Sequence, residues 1–178
     1  MIVDAVGQHA GTLRLTNSAA LNLTNGWLHL ATQLEIGTGC TTLVSSAGTL
    51  TTSNLLNSGT LRLTGAATLT VSGTFTNTGT LDVLTWSEIL PPGLVNTGTV
   101  LDRSLIKVSS SQLNGANFEA VIQGYAGHNF QLQYRDSITS GVWQNVGAAV
   151  PGAGVPITLV HTGGTTGQLR FYRVAVNP

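Results

Sequence analysis

The stretch NSGTLRLTG, Asn57 to Gly65, returns twenty residues on as NTGTLDVLT, Asn77 to Thr85, and again as NTGTVLD from Asn96. A period of this length marks repeat architectures, in which each unit is too small to bury its own apolar face and closes a core only by stacking. Stepping by twenty gives one aliphatic column, Val3, Leu23, Leu43, Leu63 and Val83. Two residues earlier the step gives Met1, Leu21, Thr41, Leu61 and Leu81, with one polar member. A third column runs Leu15, Glu35, Leu55, Phe75 and, after a one-residue deletion, Leu94; Leu34 and Ile36 flank the misfit at Glu35. The corner column reads Asn17, Gly37, Asn57, Asn77 and Asn96.

Inside a repeat the apolar residues alternate. In GTLRLTGAATLTVSGTFTNT, Leu61, Leu63, Leu69, Val71 and Phe75 share one face, and Arg62, Thr64, Thr70 and Thr76 share the other. Gly65 and Gly73 interrupt the pattern as residues able to take positive φ. This predicts three short strands per coil and no helix. The fold class that follows is all-β: a parallel β-solenoid of about five coils between Met1 and Leu101, about 24 Å long at the spacing of paired strands. A right-handed coil is the expectation for parallel crossovers. The competing arrangement is an antiparallel meander or sandwich with hairpins at the Asn-x-Gly sites. The sustained register of like residue types favours stacking. Asn17, Asn57, Asn77 and Asn96 are then corner residues that tolerate the left-handed conformation and can form a hydrogen-bonded side-chain ladder. Gly59, Gly79 and Gly98 are expected to supply the second bend.

The period fails at LTWSEILPPGLV, where Pro91 and Pro92 remove two backbone donors, and it does not return after Leu101. From Leu105 the strands lengthen: LIKVSS, FEAVIQ, FQLQYR, VWQNV, VPITLV and LRFYRVAV. Six strands joined by glycine-rich turns predict a small antiparallel β-sandwich. The expected domains are residues 1–104, a solenoid, and 105–178, a sandwich with Tyr134 and Trp143 in its core.

GHNFQLQYRDSITSGVWQNVG, Gly127 to Gly147, and the terminal LRFYRVAVNP resemble a module found at the C-terminal ends of very large secreted proteins of environmental bacteria, itself similar to immunoglobulin and fibronectin type III sandwiches. The resemblance covers the last 60 or so residues and rests on Tyr134, Trp143 and Phe171 to Val174. The Gly-Thr-Leu repeats more loosely resemble autotransporter passengers and filamentous adhesins. Both resemblances imply an extracellular or cell-surface location and structural or adhesive work, with no catalytic residues to carry over.

Charged residues make up 8% of the 178-residue chain and sum to zero, against a usual share of about 25%. Without a basic cluster to neutralise phosphates, nucleic acid is excluded as a partner. No apolar run reaches the length of a membrane helix, and MIVDAVGQHAG is not a signal peptide. The one cysteine, Cys40, reads as a small buried hydrophobe.

Catalytic arrangements fare poorly. Asp4, Glu35, Asp82 and Glu88 fall at four different phases of the coil, so no carboxylate pair forms for acid-base hydrolysis. His9, His29, His128 and His161 share no ligand spacing, and no coil carries the aspartates of calcium-binding repeats. There is no Gly-x-Ser-x-Gly elbow, and HTGGTTG lacks the lysine of a phosphate loop. Asn22-Leu23-Thr24 is formally a glycosylation acceptor, without meaning in a bacterial protein. These patterns predict no catalytic residue, no metal and no cofactor. The remaining candidates are Trp27, after an Asn-Gly turn, and Trp86, beside the Pro-Pro insertion, as glycan or interface contacts.

Met1, Ile2 and Val3 sit at the phase of Leu61, Arg62 and Leu63, so the chain is expected to begin inside a coil strand with no cap. Either more coils precede Met1 in the native polypeptide, or the bare end pairs with a neighbouring chain; a head-to-tail contact that does not close produces a filament. The partner implied is a second copy of the chain, with low charge opposing assembly little. The expectation is a non-enzymatic extracellular structural protein, a subunit of a head-to-tail fibre. The alternative is a monomeric surface adhesin or carbohydrate-binding stalk.

Overall fold

A computed structural model describes residues 7–166 and 169–178. The chain divides into two units, one ending at Arg103 and the other covering Ser104–Pro178. Val3 of the expected core column, and Met1, Ile2 and Val3 as the expected assembly edge, lie outside the described residues.

The first unit is a parallel β-solenoid. Its strands are β1 (Gly7–His9), β2 (Thr12–Leu15), β3 (Ala20–Thr24), β4 (Trp27–Ile36), β5 (Thr41–Ser45), β6 (Thr49–Asn57), β7 (Thr60–Gly65), β8 (Thr68–Val71), β9 (Phe75–Asn77), β10 (Thr80–Trp86), β11 (Leu94–Asn96) and β12 (Thr99–Leu101). One sheet runs β1-β4-β6-β9-β11, with β2 also on β4 and β8 also on β6; the other runs β12-β10-β7-β5-β3. Every solenoid pairing is parallel and joins successive coils, which rules out the meander. β4 and β6 each carry two faces in one bent strand, with the register shifting between Leu30 and Gln33.

The coils are not all twenty residues long. Leu34 pairs with Leu13 and Leu55 with Leu34, steps of 21, and Phe75 pairs with Leu55, a step of 20. On the other sheet Thr42 pairs with Leu21, a step of 21, and Leu61 with Thr42, a step of 19. A one-residue slip turns a side chain to the opposite face of a strand, and it corrects three expected columns. Val44, fully buried between Leu23 and Leu63, takes the core place expected of Leu43, which stands outside above Arg62. Thr42 replaces Thr41 in the same way and is buried. The third column is Leu13, Leu34, Leu55, Phe75 and Leu94, so Glu35 is an outward residue. Val83 remains in the core, at an irregularity in β10 that also buries Leu84 and Asp82.

Asn57, Asn77 and Asn96 stack on one another, but the residues above them in the column are Ile36 and Leu15. Asn17 is not part of that ladder; it is an exposed turn residue at φ 56°. Among the described residues positive φ outside glycine occurs at Asn17, Ser18, Asn25 and Ser46, so the ladder asparagines do not use the left-handed region.

Nor do the corner glycines. A Cβ on Gly59 would lie 2.4 Å from the carbonyl oxygens of Gly37 and Cys40, and one on Gly79 or Gly98 would lie 2.2 Å from the carbonyl of the glycine one coil before. Glycine stands at this corner because adjacent coils bring backbone against backbone there. Gly65 does take positive φ, at 60°, whereas Gly73 is held by the Ser53 carbonyl and the Asn54 side chain.

A 3-10 turn, Arg103–Leu105, falls at the boundary of the units, so the first expected strand of the second unit starts late. Its strands are β13 (Val108–Asn114), β14 (Asn117–Gly124), β15 (Asn129–Arg135), β16 (Gln144–Asn145), β17 (Val150–Pro151), β18 (Val155–His161) and β19 (Phe171–Asn177). Two antiparallel sheets form, β13-β14-β18 and β16-β15-β17 with β19 on β15. Ile122 and Leu159 of the first meet Phe130 and Leu132 of the second, with Val174 and Val176 beside them, as in a β-sandwich. Tyr134 and Trp143 are half-buried at its margin, outside this core. Trp143 falls just before β16, which is only two residues long, so no strand drives its ring inward.

Candidate interaction surfaces

The solenoid core fixes the surfaces that remain. Asn57 Nδ2 donates to Asn77 Oδ1 at 2.6 Å, and Asn77 Nδ2 donates to Asn96 Oδ1 at 2.6 Å. Asn57 and Asn77 are wholly buried and Asn96 is exposed. Asn57 Nδ2 also reaches the Thr80 carbonyl at 2.9 Å. Asn57 Oδ1, facing the Ile36 side, has no hydrogen-bond partner, so the ladder begins at an aliphatic coil and runs toward the last one. Ser58 and Thr78 hydroxyls add a second rung at 3.0 Å. These contacts hold the corner rigid and present no concave site.

Outward charges are paired along the stack. Arg14 binds Glu35 on the next coil, and that hydrogen bond, above all other effects, holds the Glu35 carboxyl below its ordinary range. Arg62 meets Asp82 at 2.8 Å, with Asp82 buried. The two carboxylates lie in different sheets, each with its own arginine, and do not converge on a common point. Among the described residues no group of three His, Cys, Asp or Glu side chains is placed to hold a metal. Cys40 is buried in the solenoid core. No helix is long and apolar enough to cross a membrane.

The two candidate tryptophans separate. Trp86 is 4% exposed, packs into the solenoid core and donates Nε1-H to the Ala67 carbonyl at 2.7 Å. It is a core side chain of the solenoid, with almost no surface left to stack on a glycan; β10 turns it inward at the position paired with Gly65 of β7. Replacing it with Phe keeps the ring and removes that hydrogen bond. Trp86→Phe is therefore expected to cost about 1 to 2 kcal/mol, measured by chemical unfolding of the solenoid. Trp27 is 41% exposed at the start of β4, in a column with Thr49 and Thr68.

Among the described residues both ends of the larger sheet are edges. β11 pairs with β9 on one side only, and Val95 and Asn96 are exposed. At the other end β1 and β2 pair, among the described residues, only with β4, and most of their residues are exposed. The column Leu13 to Leu94 thus begins and ends in a half-buried leucine, Leu13 at one end and Leu94 at the other.

The sandwich carries a second cluster. Tyr172 stacks on Phe118 with ring centroids 3.8 Å apart, and its hydroxyl lies 3.0 Å from His161 Nδ1. Tyr134 rests on the His161 ring and Arg170 on Tyr134. Burial first, then the Arg170 charge, holds His161 below the ordinary histidine value of 6.5. The unfolded chain therefore takes up this proton first. Stability of the sandwich is expected to be level above about pH 6.5 and to fall as pH drops below it. Unfolding of this unit followed by its aromatic signals checks this, and His161→Gln removes the decline above the pH range where Glu119, held low by Gln112 and Asn114, begins to titrate.

On the opposite face of the same sheet, Trp143 meets two guanidinium groups. Arg135 is 4.5 Å from the indole centroid and Arg173 is 4.4 Å from it. Sequence reasoning assigned Trp143 to the core and passed over both arginines, because their convergence depends on the antiparallel register of β15 with β19.

The chain matches no protein-family model, no curated protein and no solved structure. The class that the fold defines is an all-β chain with a parallel solenoid and a separate antiparallel sandwich.

Proposed function

We propose that this chain is a non-enzymatic structural protein that assembles head to tail through the edges of its solenoid. The observation that supports the reading is the column Leu13, Leu34, Leu55, Phe75 and Leu94, which among the described residues has at each end a half-buried leucine on a parallel strand paired on one side only. Stacking β11 of one copy against β2 of the next would continue both the backbone ladder and the apolar column. Contacts of this heterologous kind propagate without closing. In this reading the fibre lies outside the cell or on its surface, the setting that the sequence resemblance implies, and the sandwich decorates it.

Sedimentation velocity over a range of concentrations tests the edge directly. Leu13→Glu puts a charge on the terminal rung and is expected to leave monomers with an unchanged β-type circular dichroism spectrum. A folded Leu13→Glu protein that assembles as the parent does would overturn the proposal. The adhesin reading retains Trp27 as its exposed aromatic ring.

A further inference from the structure

The Arg135-Trp143-Arg173 stack is not needed to close the sandwich core, which lies on the other side of the sheet. It is built from neighbouring rows of side chains. Arg173, Gln133 and Asn145 are directly paired across β19, β15 and β16. Arg173 Nε donates to Gln133 Oε1 at 2.8 Å, and Gln133 Nε2 donates to Asn145 Oδ1 at 2.7 Å. Two positions along, Arg135 and Trp143 complete the stack, with Arg135 Nη2 bound to the Ile138 carbonyl. Each guanidinium is thus held in a fixed plane against one indole.

Among the described residues neither arginine is paired with a carboxylate. The nearest in sequence, Asp136, is turned to Arg170 at 3.4 Å. The unit has four cationic side chains, Lys107, Arg135, Arg170 and Arg173, and two anionic ones, Glu119 and Asp136. Two of its positive charges therefore converge on one ring without compensation. A planar guanidinium loses little freedom on binding an oxyanion and grips it with paired N-H groups. The flanking Gln133 and Asn145 amides offer the donors and acceptors that hydroxyl groups require.

We propose that this face binds a linear acidic polysaccharide, with Arg135 and Arg173 engaging successive carboxylate or sulfate groups and the amide row engaging sugar hydroxyls. Both guanidinium groups rest on the Trp143 ring, 4.5 and 4.4 Å from its centroid, so the indole positions the charges. A nucleic-acid or membrane surface would demand a wider basic field than two arginines in a chain of zero net charge.

The test is a titration of the full chain followed by backbone and indole NMR shifts, with four probes: a sulfated oligosaccharide, a polyuronate of the same length, a neutral oligosaccharide and a single-stranded oligonucleotide. Saturable, salt-sensitive shifts centred on Trp143, Arg135, Arg173 and Asn145 are expected with the first two probes. Arg135→Gln and Arg173→Gln should each weaken binding about tenfold, the loss of one charge-assisted contact, while Arg14→Gln leaves it unchanged. Trp143→Leu, which keeps both charges but releases them, should weaken it by a smaller factor. No binding of either acidic glycan, equal binding of the neutral one, tighter binding of the oligonucleotide, or indifference to both arginine changes in a folded protein would overturn the proposal.

Discussion

Gly79→Ala is expected to disrupt the solenoid by at least about 3 kcal/mol, beyond the usual cost of overpacking because the obstacle is backbone. The added methyl would sit 2.2 Å from the Gly59 carbonyl oxygen and 2.7 Å from the Ser58 carbonyl carbon, atoms that cannot move without opening the ladder between coils. The contrast with other glycines isolates the cause. Gly65 has open space around it but φ 60°, so Gly65→Ala should cost about 1 to 2 kcal/mol for left-handed strain alone. Gly11 has neither constraint, and Gly11→Ala should be neutral or slightly stabilising. Denaturant unfolding of the three variants would show this order, and a Gly79→Ala protein as stable as Gly11→Ala would refute the close-approach account.

Asn77→Ala is expected to cost about 2 to 4 kcal/mol, since it breaks a buried side-chain hydrogen bond to Asn57 and a part-buried one to Asn96 and leaves their amide groups unpartnered. Asn77 is wholly buried at the centre of the ladder, accepting from Asn57 and donating to Asn96. Asn96→Ala removes the exposed terminal rung and should cost under about 1 kcal/mol, because water can replace what is lost. Equal effects at the two positions would show that the stacked amides contribute nothing beyond local packing. Measured by urea denaturation, the difference between the two variants gives the worth of burial in the ladder.

The sequence repeat carried the solenoid because stacking imposes like residues at like positions, and alternation carried the inward faces. It erred where coil length departs from twenty. Thr41 and Leu43 were assigned inward, but the longer second coil makes Thr42 and Val44 the core residues. Asn17 shares residue type and phase with Asn57, yet the column there is Leu15 and Ile36, and only backbone pairing reveals it. Glycine spacing was legible while its reason was not, because a bend and a close approach favour the same residue. In the sandwich, strand order decided more than pattern: Trp143 alternates like a core residue, but its companions are Arg135 on the neighbouring strand β15 and Arg173 on β19, brought together by the antiparallel register. The edges at Leu13 and Leu94 were likewise invisible, since an edge is defined by what does not pair with it.

Fibre diffraction from the concentrated protein, with electron microscopy of the same sample, bears most directly on the proposed assembly. Continued stacking predicts long unbranched filaments with a meridional reflection near about 4.8 Å, the spacing of paired strands along the axis. Isolated particles that persist as concentration rises, or filaments lacking that reflection, would contradict head-to-tail assembly through the solenoid edges.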